Sequence, residues 1–248
     1  MQIFGITSSK GGVGKTTLTV NLCASLASLG YKVLAIDANL TTPHLASHLG
    51  HKLAPYTLHH VLKNQIELKY AIYPSFNFYF VPGSLAVEDI VGTEPERLKE
   101  SLSSIKDFDL VFVDCAPGLG KEALAGLESS ENILIVTTPE YPSLLDALKT
   151  YKVASLLGKK VVGIVLNRVR KLSKAEREKI YKLLDFKVIE EIPEVKNFEK
   201  ALKYNLPLVF YKPNSKASIA IKNLAFKLVG KELTSKTWVE RLIEWLTK

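Results

Sequence analysis

The chain is poor in the residues that mark specialised protein classes. Of 248 residues only two are cysteine, Cys23 and Cys115, far apart and in apolar contexts. That excludes a disulfide-stapled scaffold and reads as two buried thiols of a cytoplasmic protein. No apolar run reaches the ~18 residues of a membrane-spanning helix, so no segment is expected to cross a bilayer. The opening residues MQIFGITSSK lack a basic stretch followed by a long apolar one, and do not read as a secretory signal. There is no internal repeat and no low-complexity segment. Methionine is scarce and lysine abundant, a thermophilic tendency that says nothing of function.

What is present is apolar and alternating. With 47% hydrophobic residues the chain can bury the core of one large domain, expected over residues 1–230. Strand candidates are Ile3–Thr7, Val33–Asp37, Phe76–Val81, Leu110–Asp114, Ile133–Thr137, Val161–Leu166 and Val188–Ile192. Most are β-branched and apolar throughout, as in strands covered on both faces. Helical patterns fall between them at Thr17–Leu29, Glu94–Ser104, Leu144–Leu157 and Ser173–Leu184. Such alternation predicts an α/β fold, a mainly parallel doubly wound sheet with helices on both faces. Val229–Ser235 reads as a linker to a last short helix at Lys236–Thr247.

The chemistry is concentrated between the first strand and the first helix, in Ser8-Ser-Lys-Gly-Gly-Val-Gly-Lys-Thr-Thr17. Glycines 11, 12 and 14 allow a tight turn in which successive N–H groups point at one phosphate, and the helix N-terminus adds its positive dipole. Lys15 can reach β- and γ-phosphates, the Thr16 hydroxyl can ligate Mg²⁺, and Thr17 can contact the α-phosphate. The spacing departs from GxxxxGK[ST] only at Ser9, where that pattern has glycine. Asp114 and Asp37 each end an apolar strand. Alone, either reads as a strand-end turn residue; beside the loop, either can hold a magnesium-bound water.

Lys10 narrows the reading. Lys10-Gly-Gly-Val-Gly-Lys-Thr-Thr17 resembles the deviant Walker A motif of the MinD/ParA ATPases, and the resemblance runs through nearly the whole chain. Archaeal MinD-like proteins are the branch it matches best. Asp37-Ala-Asn39 resembles the family's first switch and Asp114-Cys-Ala-Pro-Gly118 its second. Asn167-Arg168 resembles a pair whose asparagine reads adenine. Ile192-Pro193-Glu194 and Pro213–Ala217 resemble late signatures. The resemblance implies ATP or ADP with Mg²⁺ as ligands. It assigns Lys10, Gly11, Gly12, Val13, Gly14, Lys15, Thr16, Thr17, Asn167, Pro193 and Glu194 to the nucleotide, and Thr16, Asp37 and Asp114 to the metal. It further implies an ATP-dependent homodimer in which Lys10 reaches the partner's nucleotide, and a protein activator. Two positions depart from the pattern: Asn39 stands where the first switch usually has aspartate beside the attacking water, and His44 where asparagine is frequent. Lys10, Lys15 and Asn39 are therefore the catalytic candidates, with slow hydrolysis expected from Asn39.

Three further features carry alternatives. All five histidines lie between positions 44 and 60, and His44 and His48 share the i,i+4 spacing of a Zn²⁺ pair or of a surface helix. Nine Lys/Arg fall between Lys159 and Lys182 against Glu176 and Glu178, a surface for nucleic acid or membrane, or the solvated side of a helix. In Lys236–Thr247, Trp238, Val239, Leu242, Ile243, Trp245 and Leu246 share an arc of about 160°. That face suits a membrane interface, as in the targeting helix of MinD, or docking on protein. Three functions compete: a membrane-cycling positioning ATPase at the inner face of the cell membrane, a DNA-partitioning ATPase using the basic patch, and a non-hydrolysing switch that recruits a partner. Nucleic acid is the weaker of the partner readings.

Overall fold

Runs of buried apolar residues form the strands β1 (Gln2–Thr7), β2 (Val33–Ala38), β3 (Tyr73–Ser75), β4 (Phe78–Val81), β5 (Leu110–Cys115), β6 (Asn132–Thr137), β7 (Lys160–Val169) and β8 (Val188–Pro193). The computed structural model describes residues 1–51 and 54–230; the helix expected at Lys236–Thr247 lies outside the described residues. Among these the strands make one sheet in the order β3-β4-β2-β5-β1-β6-β7-β8, parallel except for the edge hairpin β3–β4. Strands β2 and β5 are buried at every position, as their unbroken apolar sequences require.

The helices are α1 (Lys15–Ala27), α2 (Leu45–His48), α3 (Leu58–Leu62), α4 (Leu98–Ser103), α5 (Lys121–Glu128), α6 (Tyr141–Leu156), α7 (Lys174–Leu184), α8 (Asn197–Lys203), α9 (Leu208–Tyr211) and α10 (Lys216–Leu228). Alternation along the strands separates two cores. Phe4, Ile6, Phe112 and Leu134 pack against α1, α9 and α10 on one face. Ile36, Val111 and Val113 meet α3 and α4 on the other, where Ile133, Ile135 and Ile164 meet α5 to α7. Phe4 and Phe112 stack across neighbouring strands with ring centroids 5.2 Å apart. Each such fully buried ring contributes about 1.5–3 kcal/mol by leaving water.

Two expectations are corrected. The strand expected at Phe76–Val81 begins at Phe78: Phe76 takes a left-handed turn (φ 51°), and Tyr73–Ser75, not expected as a strand, folds back as an antiparallel edge, where Pro74 is tolerated. Glu94–Ser104 is a 3₁₀ turn at Pro95–Arg97 followed by α4. No helix among the described residues is long and apolar enough to cross a membrane.

Candidate functional site

The phosphate loop leaves the C-terminal end of β1, which lies between β5 and β6, where the chain's connections run to opposite sides of the sheet. The loop needs its glycines: Gly12 has φ 77° and Gly14 φ 97°, a conformation other residues adopt at a cost. A side chain at Gly14 would also collide with Asn167, whose amide donates to the Val13 carbonyl at 2.7 Å. Gly14 caps α1, whose first turn holds no acidic residue, so the positive helix end is left for an anion. Lys15 is only 8% exposed, and its Nζ donates to Ser8 Oγ at 2.9 Å. Burial pulls its pKa down against the opposing pull of Asp114 and Asp37. A phosphate placed there would favour the charged lysine.

Asp37 and Asp114 are register partners at the ends of β2 and β5. Asp37 Oδ2 accepts from the N–H groups of His44 (2.9 Å) and Leu45 (2.8 Å), and Oδ1 from Asn39 (3.3 Å). Asp114 Oδ2 accepts from the Thr16 hydroxyl at 2.5 Å. Its Oδ1 is buried with no hydrogen-bond partner among the described residues. Burial raises both carboxyls, Asp37 to about 8 with Asp114 beside it and Asp114 to about 6. Two adjoining buried carboxyls, one with an unpartnered oxygen, and a threonine hydroxyl form an oxygen-donor set that suits Mg²⁺. Among the described residues no group of three or more His, Cys, Asp or Glu forms a metal cage, so His44 and His48 do not gather a further ligand.

The two switch-like segments fold against this centre. The Asn39 amide donates to the Thr42 carbonyl and hydroxyl at 2.5 and 3.0 Å, closing a turn. His44 Nδ1 lies 2.7 Å from the same carbonyl, so it carries the proton and Nε2 is the basic nitrogen. His48 Nδ1 lies 2.9 Å from the His44 carbonyl, which leaves Nε2 to accept from the Thr17 hydroxyl at 3.3 Å. In the second segment the Gly118 N–H donates to the Ser8 carbonyl at 2.9 Å. Cys115 is buried and pushed up to about 12, so it stays a thiol.

Lys10 stands at the rim, 46% exposed, with Nζ 3.2 Å from Asp146 of α6. Beside it runs a groove of about 250 Å³ lined by Lys10, Gly12, Val13, Glu140, Arg168 and Glu194. Pro193 ends β8, and the Glu194 carboxylate accepts from Arg170 Nε at 2.6 Å. Asn167 is buried under the loop, while Arg168 follows it with φ 54°. The basic patch is partly neutralised: Arg170 pairs with Glu194 and Arg177 with Glu191. Sequence reasoning missed the contact of His48 with Thr17, and with it Asp146 and Glu122, the last of which accepts three hydrogen bonds from Leu40 and Thr41. Only the second of these had a local signal, since its helix was expected.

Comparison with known proteins identifies the family and the fold. Two family models match: one described as an AAA domain over residues 1–161, and a ParA model described as a NUBPL iron-transfer P-loop NTPase over residues 98–229. An uncharacterized ATP-binding protein of Methanocaldococcus jannaschii is 36% identical over 228 residues, covering 91% of this chain and 86% of its own length. The structure of the septum site-determining protein MinD of Pyrococcus horikoshii, complexed with Mg-ADP, superposes with a TM-score of 0.86 at 35% identity, covering 92% of this chain and 95% of that one. MinD from the MinC:MinD cell division protein complex of Aquifex aeolicus gives a TM-score of 0.83 at 27% identity, covering 94% and 98%. With its eight-stranded sheet and its Lys10–Thr17 loop, the chain belongs to the MinD/ParA family of P-loop ATPases.

Proposed function

We propose that the protein binds Mg-ATP in the Lys10–Thr17 loop, closes into a homodimer over it, and acts as a MinD-like positioning switch at cell division or a similar process. The observation that carries this is the placement of Lys10. It lies on the phosphate loop yet points along the rim to Asp146, half-exposed, where a second subunit can be reached. Lys15 and the α1 N-terminus are the groups for the β- and γ-phosphates, and Thr17 for the α-phosphate. Thr16, Asp37 and Asp114 are the residues that would hold Mg²⁺, which would supply positive charge against the nucleotide phosphates. Asn167, Pro193 and Glu194 border the base side of the loop. The segment 236–247 is the one proposed to contact membrane, on its sequence pattern, and a protein partner is in keeping with the Aquifex aeolicus complex.

Hydrolysis is expected to be slow. The Asn39 amide carries no charge and cannot take a proton near neutral pH. The DNA-partitioning alternative is weakened by the ion pairs within the basic patch, because an Arg held by a carboxylate offers less to a phosphate backbone. Flotation with anionic vesicles, in ATP and in ADP, tests the membrane reading with the full chain and one ending at Val229. The full chain should float with ATP and much less with ADP, because two weak helices act together only in a dimer. Equal flotation of the two chains would refute a membrane role for the terminal helix.

A further inference from the structure

The peptide that follows Asn39 is held from outside its own segment on both sides. Glu122, the second residue of α5, sends its carboxylate across to the first switch. Its Oε2 accepts from the N–H groups of Leu40 (3.0 Å) and Thr41 (3.3 Å), and its Oε1 from the Thr41 hydroxyl (2.5 Å). The Leu40 carbonyl accepts from His59 Nε2 at 3.0 Å, while His59 Nδ1 accepts from the Ser84 N–H at 3.0 Å. That arrangement fixes a neutral imidazole, and burial lowers its pKa in the same sense. A glutamate in the first turn of a helix ordinarily serves its own helix end. Glu122 instead accepts three hydrogen bonds from a segment some eighty residues earlier, of the charge-assisted kind that is stronger than neutral pairs.

The helix that carries Glu122 is itself tied to the phosphate loop. It follows the second switch, Asp114–Gly118, whose Gly118 N–H donates to the Ser8 carbonyl. Ser8 Oγ in turn accepts from Lys15 Nζ. A continuous path thus runs from Lys15 through Ser8, Gly118 and α5 to Glu122, and on to the turn that Asn39 closes with Thr42.

We propose that Glu122 is a positioning residue that yokes the first switch to the second, so that the two respond together to the γ-phosphate. The inference rests on the ATP-switch reading above and adds the residue that couples its parts. ADP is held by the loop at 11–17, which Glu122 does not touch, so the yoke should matter only where a γ-phosphate meets the switches. Without it, ATP must order two independent segments instead of one, and affinity for the triphosphate falls.

The test compares ADP with a non-hydrolysable ATP analogue by calorimetry, using full-length protein with Mg²⁺. Binding of both to the wild type comes first; a wild type that binds neither sinks the ATP reading itself. Given binding, Glu122→Ala should weaken the analogue about tenfold, as expected for losing charge-assisted hydrogen bonds, and change ADP by less than about twofold. Glu122→Gln, which keeps an acceptor oxygen, should recover part of that loss. Thr41→Val removes the hydroxyl from the other side, and its effect should largely vanish in the Glu122→Ala background, because both changes break one interaction. The Thr41→Val and Glu122→Gln variants carry the test if Glu122→Ala fails to fold. Equal weakening of ADP and analogue, no change in either, or additive losses in the double variant would each overturn the yoke.

Discussion

At the scale of single residues, Asn39 sets the expected rate. Its amide is turned into the Thr42 turn, where His44 Nδ1 lies 2.7 Å from the same Thr42 carbonyl. A carboxylate at position 39 would bring a negative charge and further acceptor capacity toward an attacking water. Steady-state phosphate release should therefore rise by about 10²-fold in Asn39→Asp, the lower end of the usual contribution of a positioned acid–base group. A rate in the wild type equal to that of Asn39→Asp would refute the slow-switch account, and a collapse in His44→Ala would name the histidine as substitute. These residues were readable in the sequence because Asp37-Ala-Asn39 is contiguous. His48 was not assigned to the loop, since its contact with Thr17 joins residues 31 positions apart through the turn of α2. Glu122 was invisible for the same reason, its partners lying 81 and 82 residues away.

At the scale of elements, the ends of β2 and β5 set two buried carboxyls side by side, where a proton and a divalent cation would compete. Asp37 and Asp114 have folded pKa values raised to about 8 and about 6, above an unfolded value near 4. A raised carboxyl favours the folded state below its unfolded pKa, and that contribution is lost as pH rises through the folded values. The nucleotide-free protein should thus lose stability between about pH 4 and 8 on this account. A divalent cation stabilises the ionised carboxylates and should reverse the loss. The rise in melting temperature given by Mg-ADP over ADP alone is therefore expected to be larger at pH 8.5 than at pH 5.5. An equal rise at both would contradict a role for the pair in holding the cation. Elements were legible to differing degrees. The strands β2 and β5 were found almost to the residue, because burial on both faces demands an unbroken apolar run. The helix expected at Ser173–Leu184 is α7, and its start is fixed by a capping box of Ser173 with Glu176. Helices α5, α8 and α10 were missed; their apolar stripes are short or interrupted by charge, and packing on the sheet decides them. The edge strand β3 was not foreseen, and β4 was begun two residues early because Phe76 continues the apolar pattern of Phe78 and Phe80 although its backbone turns.

At the scale of the whole molecule, the parallel sheet gathers the loop, both switches, Asn167 and Glu194 along the C-terminal ends of its strands, so one edge carries the chemistry. Lys10 lies on that edge and is paired with Asp146 of the same chain. An exposed pair of this kind contributes little to stability, so a nucleotide phosphate on a second subunit can displace it. In the basic patch at 159–182, two of the nine cations, Arg170 and Arg177, are paired with Glu194 and Glu191. The account stands or falls on whether ATP joins two chains through Lys10. Light scattering after size exclusion, with Mg-ATP and with Mg-ADP, measures this directly for the wild type, Lys15→Ala and Lys10→Ala. The account predicts a dimer for the wild type in ATP alone, no dimer for Lys15→Ala because nucleotide binding is weakened, and nucleotide binding without a dimer for Lys10→Ala. A Lys10→Ala protein that dimerises with ATP as the wild type does would contradict it.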